Sequence, residues 1–600
     1  METSIPLTPP TATLSLAHAP ESPPKSPLEH IAADMEGTVD VSLDDVEEED
    51  VPLTPKSPPA PIPLPVEPIA IQLAPSTPSN TSTPFALGEP ETPSAPANVQ
   101  SFSERDTEEE RRVENVETAE SSGGRREKEV EGDIHIYGIL VVGFNHLIGP
   151  EIEYAYPASI RSPELDTALP FLALPDGAHL REEDHAYFHL FLPSLSGSTV
   201  FGISCNRQIL SSSLLNRGAN ITRSTVQKAV VVLADKPIFG PIRDRLGVIT
   251  RAYFEQRDFE DRRILEEFYG SLVDGVGGET DLYMGTSLRE LIHRFRFKTL
   301  TLLKLLLLQK KIMFFSPHLP VEKLCNTQYS LVSLIPSLLS TLDDSASPLL
   351  DNVTVRRKRA STLRTSERES LLRFLGMPLD VFGRDSFFQP YLPLQQIDML
   401  ASESFVVGTT NSIFQQQREC KIDVLVNIET ANIEVYDPKL SIALTLTAAD
   451  RKWMDELVTT VTESWNPEDP SRPIGSTYVG SDDFLRAKFE EYLCSMLAAT
   501  KFVDFLGRGN QGGVGIISGT EFDPNLLSSF NDTYINLFRA TPAFKIWDGN
   551  TDSVLFDLVE PRHPMHGLTN AIEDVGIRLA DGLHTLRIRR CMEGIQWYQE

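Results

Sequence analysis

Ile134-His-Ile-Tyr-Gly-Ile-Leu-Val-Val-Gly-Phe144 is the first stretch of this chain where branched and aromatic residues crowd together. Such residues suit a pleated, packed surface, so the stretch predicts a strand. Gly149-Pro150 follows as a turn signal, and Glu151–Tyr156 then alternates polar and apolar side chains. That two-residue period is a half-buried strand, and the pair predicts a hairpin.

Working outward toward the C-terminus, Leu169–Leu174, Ala186–Leu192 and Thr199–Cys205 read as further strands. Thr222–Leu233, Ile242–Glu255 and Ile264–Leu272 read as helical or mixed segments. Leu288–Leu308 repeats apolar residues at three- and four-residue spacing, a helix pattern interrupted by Lys304. Lys311–Ser316 (KIMFFS) is a buried strand, and Val321–Leu339 is again helical. Strand and helix in alternation imply parallel strands with helical crossovers, an α/β fold.

Thr341–Ser370 is rich in Ser and Thr and carries Arg356-Arg357-Lys358-Arg359 just before Ser361. It predicts a loop insertion: a solvated loop first, a basophilic-kinase site at Ser361 or an anionic-lipid contact second. Order returns with a strand at Ser404–Gly408 and a turn, Thr409–Asn411, capping a helix from about Ser412. Asp423–Tyr436 holds two short strands, and Asp450–Glu463 and Asp482–Thr500 are amphipathic helices. Gly507–Gly519 reads as a glycine-rich surface loop, and Asn531–Phe538 as a short helix.

Outward in the other direction lies a different kind of sequence. Residues 1–131 hold 21 of the 44 prolines, with 26 acidic against 8 basic side chains, so 18 of the 31 net negative charges fall there. Such a segment buries too little apolar surface to offset its ordering entropy and predicts a disordered tail. Ser/Thr-Pro pairs at Thr8, Ser22, Ser26, Thr54 and Ser57 are candidate proline-directed phosphosites, or chance products of a Pro/Ser-rich composition. METSIPLTPP lacks a basic region followed by an apolar core, so no signal peptide is expected, and the longest apolar run is too short to span a bilayer. The net negative charge does not attract nucleic acid. Five widely spaced cysteines, with no CxxC, read as reduced intracellular thiols.

Catalytic signatures are sparse. There is no Walker A sequence and no GxSxG; Ser204 lacks the second glycine. His563-Pro-Met-His566 has the wrong spacing for a metalloprotease helix. A literal GxGxxG at Gly507, Gly509 and Gly512 follows a helix rather than a strand, which argues against a dinucleotide site. The twelve histidines show no ligand spacing with Cys or carboxylates. The sequence therefore predicts no catalytic residue, no cofactor and no metal, and no covalent catalysis.

Longer strings carry a resemblance. Val141–His146 (VVGFNH), Gly149 and Glu151–Pro157 are followed by Leu169-Pro-Phe-Leu-Ala-Leu-Pro-Asp-Gly-Ala-His179. Then come Phe188–Leu190, Thr199–Cys205, Arg207–Ile209, Ile221–Arg223, Thr225–Lys228 and Ala252–Glu255. Phe405–Gly408, Thr410-Asn411, Phe414, Gln416-Gln417 and Asp482–Thr500 complete the series. In this order, over about residues 133–566, they resemble the Avl family of late-secretory-pathway DENN proteins. The resemblance implies a tripartite module: a longin-like upstream part at 132–280, a central part at 281–425 and a downstream part at 426–566, with a C-terminal extension at 567–600. It implies a cytoplasmic regulator of Golgi-to-surface vesicle traffic, placed peripherally on post-Golgi or endosomal membranes, with a link to recycling endosomes. The wider DENN group implies a Rab-type GTPase as partner and guanine-nucleotide exchange as activity. An effector or scaffold on secretory or recycling vesicles, without exchange activity, fits the same fold, and sequence does not separate the two. The expected contact surface is the groove between lobes, where strand-end loops converge. Candidate loops are Asp176–His179, with Asp176, Gly177 and His179, and Gly408–Asn411, with Gly408, Thr409 and Asn411. Gly177 and Gly408 also suit tight turns for structural reasons alone, and that reading carries the greater weight.

Overall fold

β1 (Ile136–Asn145) and β2 (Gly149–Tyr156) form the expected hairpin, with Gly149 at φ +86° where the chain turns. This is a computed structural model, and it describes residues 134–565 except 146, 217–222, 276–278, 353–358, 365, 417–420 and 513–525. The expected disordered tail, the 567–600 extension, the five N-terminal phosphosite candidates and Arg356–Lys358 lie outside the described residues.

With β3 (Glu183–Phe191), β4 (Thr199–Leu210) and β5 (Thr225–Ala234), the hairpin builds a five-stranded antiparallel sheet in the order β2-β1-β5-β4-β3. Ile139–Val142 and Ala229–Leu233 are buried at every consecutive position. Both faces are covered, so these strands read as continuous apolar runs instead of alternating. That explains one correction: the stretch from Thr225 on, read from sequence as part of a helical or mixed segment, is the strand β5.

Leu169–Leu174 is corrected in the opposite sense. It belongs to the helix Pro163–Ala173. A short buried apolar run fits either element, and here the upstream cap decides. The Ser162 hydroxyl accepts from Leu165 N, Pro163 opens the first turn, and Glu164 and Asp166 face the positive helix end. The helices Phe239–Glu255 and Arg263–Val273 stand where sequence placed them.

The second sheet is mixed: β6 (Lys311–Phe315), β7 (Ser386–Gln389), β8 (Ser404–Thr409), β9 (Val424–Asn427) and β10 (Asn432–Val435), in the order β10-β9-β6-β8-β7. β6 pairs in parallel with β8 and β9, β8 with β7, and β9–β10 is an antiparallel hairpin. Ile312 and Phe314 face the main core, while Met313 and Phe315 face a smaller one shared with Phe387, Phe405, Val407 and Leu425. The α/β reading holds, with parallel pairing confined to this sheet.

Leu288–Leu308 forms two helices, Leu288–Phe295 and Lys298–Leu307, broken at Arg296 with φ +50°. Leu303 is fully buried, and so is Lys304, which the apolar run appeared to reject. Lys304 Nζ lies 2.5 Å from Asp450 Oδ2. Asp450 also accepts from Tyr492 Oη (2.8 Å) and Thr447 N (3.1 Å), and His563 Nε2 stands 3.3 Å from it. Thr447 and Asp450 form the capping box of the helix Ala448–Glu463, so one carboxylate caps a helix and balances a buried cation. Burial alone would raise the Asp450 pKa. The Lys304 charge and the His563 contact outweigh it and hold the carboxyl well below its ordinary value.

The predicted insertion at Thr341–Ser370 begins later than composition suggested. Leu342, Asp344, Ser345, Ala346 and Leu350 are buried. Ser345 and Ala346 find internal partners: Phe388 N donates to Ser345 O (2.8 Å), Ala346 N to Thr199 Oγ1 (2.9 Å), and Ser345 Oγ meets His189 Nδ1 (3.0 Å). A Ser-rich stretch with partners for its hydroxyls can sit inside. The two sheets meet here. His189 N on edge strand β3 donates to Gln389 Oε1 (2.8 Å), and Gln389 Nε2 returns a bond to His189 O (3.0 Å). The predicted loop at Gly507–Gly519 is corrected as far as it is described: Gly507, Gly509 and Gly512 lie in the last turns of the helix Asp482–Gly512. A glycine triplet inside a helix end is not the strand-to-helix turn a dinucleotide needs.

Candidate functional site

Parallel strands send their carboxyl ends to one rim, so the turns after β6, β8 and β9 gather there. The loop after helix Pro163–Ala173 reaches the same rim from the first sheet. Asp176 is its contact: Asn411 Nδ2 donates to Asp176 Oδ2 (2.9 Å), Thr410 Oγ1 to Asp176 O (3.3 Å), and Asp176 N to Tyr391 Oη (2.8 Å). The two candidate loops, 235 residues apart at this pair, are thus hydrogen-bonded to each other.

The named residues divide into surface and support. Asp176 and His179 are exposed, and Asn411 is half-buried. Asn411 Oδ1 accepts from Ile413 N (2.9 Å), which opens the short helix Ile413–Gln416 as predicted. Thr409 is fully buried, and its hydroxyl accepts from Asn411 N (3.2 Å). Gly177 has φ +81°, which the tight turn into Ala178–Leu180 requires. Gly408 lies inside β8, where a Cβ would stand 2.2 Å from both Gln328 Nε2 and Pro390 O. Packing alone therefore requires a glycine at this position.

Beside this latch, Glu429 accepts from His318 N (2.7 Å), Ser316 Oγ (3.0 Å) and Leu319 N (3.2 Å). Burial raises its pKa, but these bonds favour the anion more and lower it overall. Arg181 donates to His318 O from the first sheet's side. The loops of the rim thus expose Asp176, His179, His318 and Thr430, together with Leu180, which is 72% exposed. Such a surface can exchange hydrogen bonds and cover one apolar side chain, which suits a macromolecular partner. Ser361 is exposed, as a kinase target must be, and its neighbour Arg359 is held by Asp552 at 2.7 Å.

Sequence spacing missed one cluster. The β3–β4 register sets His185 opposite Cys205, with Glu183 nearby. Glu322 Oε2 stands 3.6 Å from His185 Nδ1. Burial lowers the His185 pKa, yet Cys205 and Glu322 overcome this and raise it to about 10. Arg207 and Arg251 hold Glu183. A period-two reading would have set Glu183 and His185 on one face, but nothing in the sequence gives the register that adds Cys205.

Three similarities bear on this architecture. The profile of the family described as transport protein Avl9 matches residues 136–500. The late secretory pathway protein AVL9 of Saccharomyces cerevisiae is 38% identical over 464 residues, covering 72% of this chain and 60% of the relative. The late secretory pathway protein avl9 of Schizosaccharomyces pombe is 39% identical over 433 residues, covering 71% of this chain and 89% of the relative. This chain therefore spans 60% of the length of the budding-yeast relative and most of the fission-yeast one.

Proposed function

We propose, from the premise that this chain belongs to the Avl9 transport-protein family, that it acts in late-secretory transport from Golgi to cell surface by binding a Rab-type GTPase. The family match over 136–500 carries this reading, because it takes in both sheets and the rim between them.

The finer reading is a tripartite DENN module. The antiparallel sheet and its helices fit an upstream, longin-like part at 132–280. The central part, 281–425, and the downstream part, 426–566, share the second sheet, since β9 runs from Val424 to Asn427. Exchange needs no nucleophile or general base. A protein that binds the nucleotide-free GTPase about tenfold more tightly than the loaded form supplies about 1.4 kcal/mol toward release. The rim around Asp176, His179 and Asn411 is the surface we assign to the GTPase.

The chain is placed peripherally on post-Golgi or endosomal membranes, among secretory or recycling vesicle machinery. Among the described residues no helix is long and apolar enough to cross a membrane. One observation favours a second reading. The rim loops are fixed to each other by hydrogen bonds, and a rigid surface also suits an effector or scaffold that binds without promoting exchange.

Capture of GTPases from cytosol by the immobilised full chain separates these readings, with EDTA, GDP or a non-hydrolysable GTP analogue present. Exchange predicts enrichment of one Rab under EDTA. Enrichment only with the GTP analogue makes the chain an effector, and no Rab under any condition removes the GTPase from the proposal.

A further inference from the structure

Three side chains brought together by strand pairing carry a chemistry that transport does not use. A carboxylate oxygen of Glu183, a ring nitrogen of His185 and the sulfur of Cys205 all lie within 4.8 Å of one another. His185 is 8% exposed and Cys205 0%. His185 Nε2 is buried without a hydrogen-bond partner. Opposite it on the helix Phe239–Glu255 stands Gly247, which has no side chain: a Cβ there would lie in contact with Nε2 (3.6 Å), Glu183 Oε1 (3.4 Å) and Arg251 Nη2 (3.6 Å). The other ring nitrogen, Nδ1, is turned to Glu322. A carboxylate on the far nitrogen is the arrangement that orients a metal-binding imidazole and leaves its second nitrogen free to ligate.

We infer that Glu183, His185 and Cys205 form a zinc-binding site. Thiolate, imidazole and carboxylate together suit Zn²⁺ among the common divalent ions. Bonds of about 2.0–2.3 Å in a tetrahedron put ligand atoms roughly 3.5 Å apart, so the three side chains close by about 1 Å. The Glu183 carboxylate can be shared. Its Oε2 holds Arg207 Nη1 (3.0 Å) and Arg251 Nε (2.9 Å), whereas Oε1 receives Arg251 Nη2 (3.0 Å). The Arg251 side chain is half exposed, so Nη2 can turn to solvent and release Oε1 to the ion. Binding forms Zn–S, Zn–N and Zn–O bonds and displaces to solvent the protons carried by the thiol and by the ligating ring nitrogen. Nothing is oxidised, and water takes the fourth position. Because Glu322 sits in the first turn of the helix Val321–Val332, the ion would brace the first sheet against the second lobe.

The test uses the full chain, stripped with a chelator and titrated with Zn²⁺, and with Co²⁺ as a coloured substitute. The expected result is one ion per chain, a thiolate-to-cobalt charge-transfer band, and a thermal midpoint raised by zinc. Cys205→Ser removes the band, and His185→Gln weakens binding by more than the roughly 10–100-fold that loss of an outer-shell partner costs. Gly247→Ala keeps every donor and favours the helix, but places a methyl against His185 Nε2, so zinc affinity falls while zinc-free stability does not. Absence of the band at saturating cobalt overturns the proposal, as does undiminished zinc binding in Cys205→Ser and His185→Gln or in Gly247→Ala.

Discussion

Two polar joints tie distant parts of this chain together, and water separates their energetics. At the exposed rim, Asn411 Nδ2 reaches Asp176 Oδ2 over 2.9 Å. In the interior, Lys304 meets Asp450 over 2.5 Å with side chains 1% and 0% exposed. A group that loses its partner at the rim is taken up by solvent, so the bond there is worth about 0.5–1.5 kcal/mol net. An ion that loses its partner in the dry joint has nowhere to turn, and breaking such a pair costs about 3–5 kcal/mol. The amount at stake in a polar contact follows from its surroundings more than from its length.

The harshest way to probe the dry joint is to add a charge it cannot balance. Leu303→Asp places a carboxylate in the same buried helix with no cation assigned to it, at a cost of several kcal/mol. The expected outcome is loss of the cooperative transition in urea. Unfolding like the parent's would show that this helix is not core.

Removing one partner comes next. Asp450→Ala strands Lys304 and should cost about 3–5 kcal/mol in denaturant titration. Lys304→Met with Asp450→Leu removes both charges and should recover at least half of that loss. If the double variant is no better than the single one, the capping and tyrosine bonds of Asp450 matter more than its ion pair.

Acid acts on the buried groups, the dry joint's Asp450 and the buried His189, and the sign can be worked out. Asp450 has a folded pKa below its unfolded value of about 3.9. Its contribution is present above that value and is lost as pH falls through the folded one. Burial pushes His189 down to about 3, against about 6.5 unfolded. Between those values the unfolded chain takes up a proton that the folded chain refuses, so stability falls as pH drops from about 6.5 toward 3, by up to about 1.4 kcal/mol per unit. His185, whose pKa is raised, works in the opposite sense above pH 6.5, so the His189 effect is read as a difference: the urea midpoint of the parent should fall relative to that of His189→Gln from pH 7 through 6 to 5. Equal slopes would mean that His189 accepts its proton inside the fold.

The smallest effect belongs to the rim. Asp176→Ala should change stability by no more than about 1.5 kcal/mol, yet reduce GTPase capture severalfold. Unchanged capture would remove the rim from the proposed function.

Much of this fold is legible where local chemistry is decisive. Asn411 announces the helix at Ile413, and the short apolar runs of β6, β8 and β9 stand out between polar turns. Legibility fails where tertiary context overrides the local signal. β5 is buried on both faces and loses its alternation, Leu169–Leu174 is a buried run that a distant cap makes helical, and Ser345 is polar but satisfied inside. The rim was half legible. Both loops could be singled out from sequence, but their meeting at Asp176 and Asn411 depends on how two sheets dock. Lys304 looked like an interruption because its counterion is 146 residues away.

Gln389 has a consequence of another kind. Its side-chain amide gives and takes the bonds that a neighbouring peptide unit would exchange with His189, so the antiparallel ladder ends in a stopper supplied by the other sheet. A strand margin closed in this way offers no template to a passing chain. Cut away from the second half, the first would lose more than apolar cover. It would uncover the His189 amide and carbonyl and the Tyr187 carbonyl on edge strand β3, an adhesive seam, so the two halves are better regarded as mutual guardians against self-association than as modules that happen to touch.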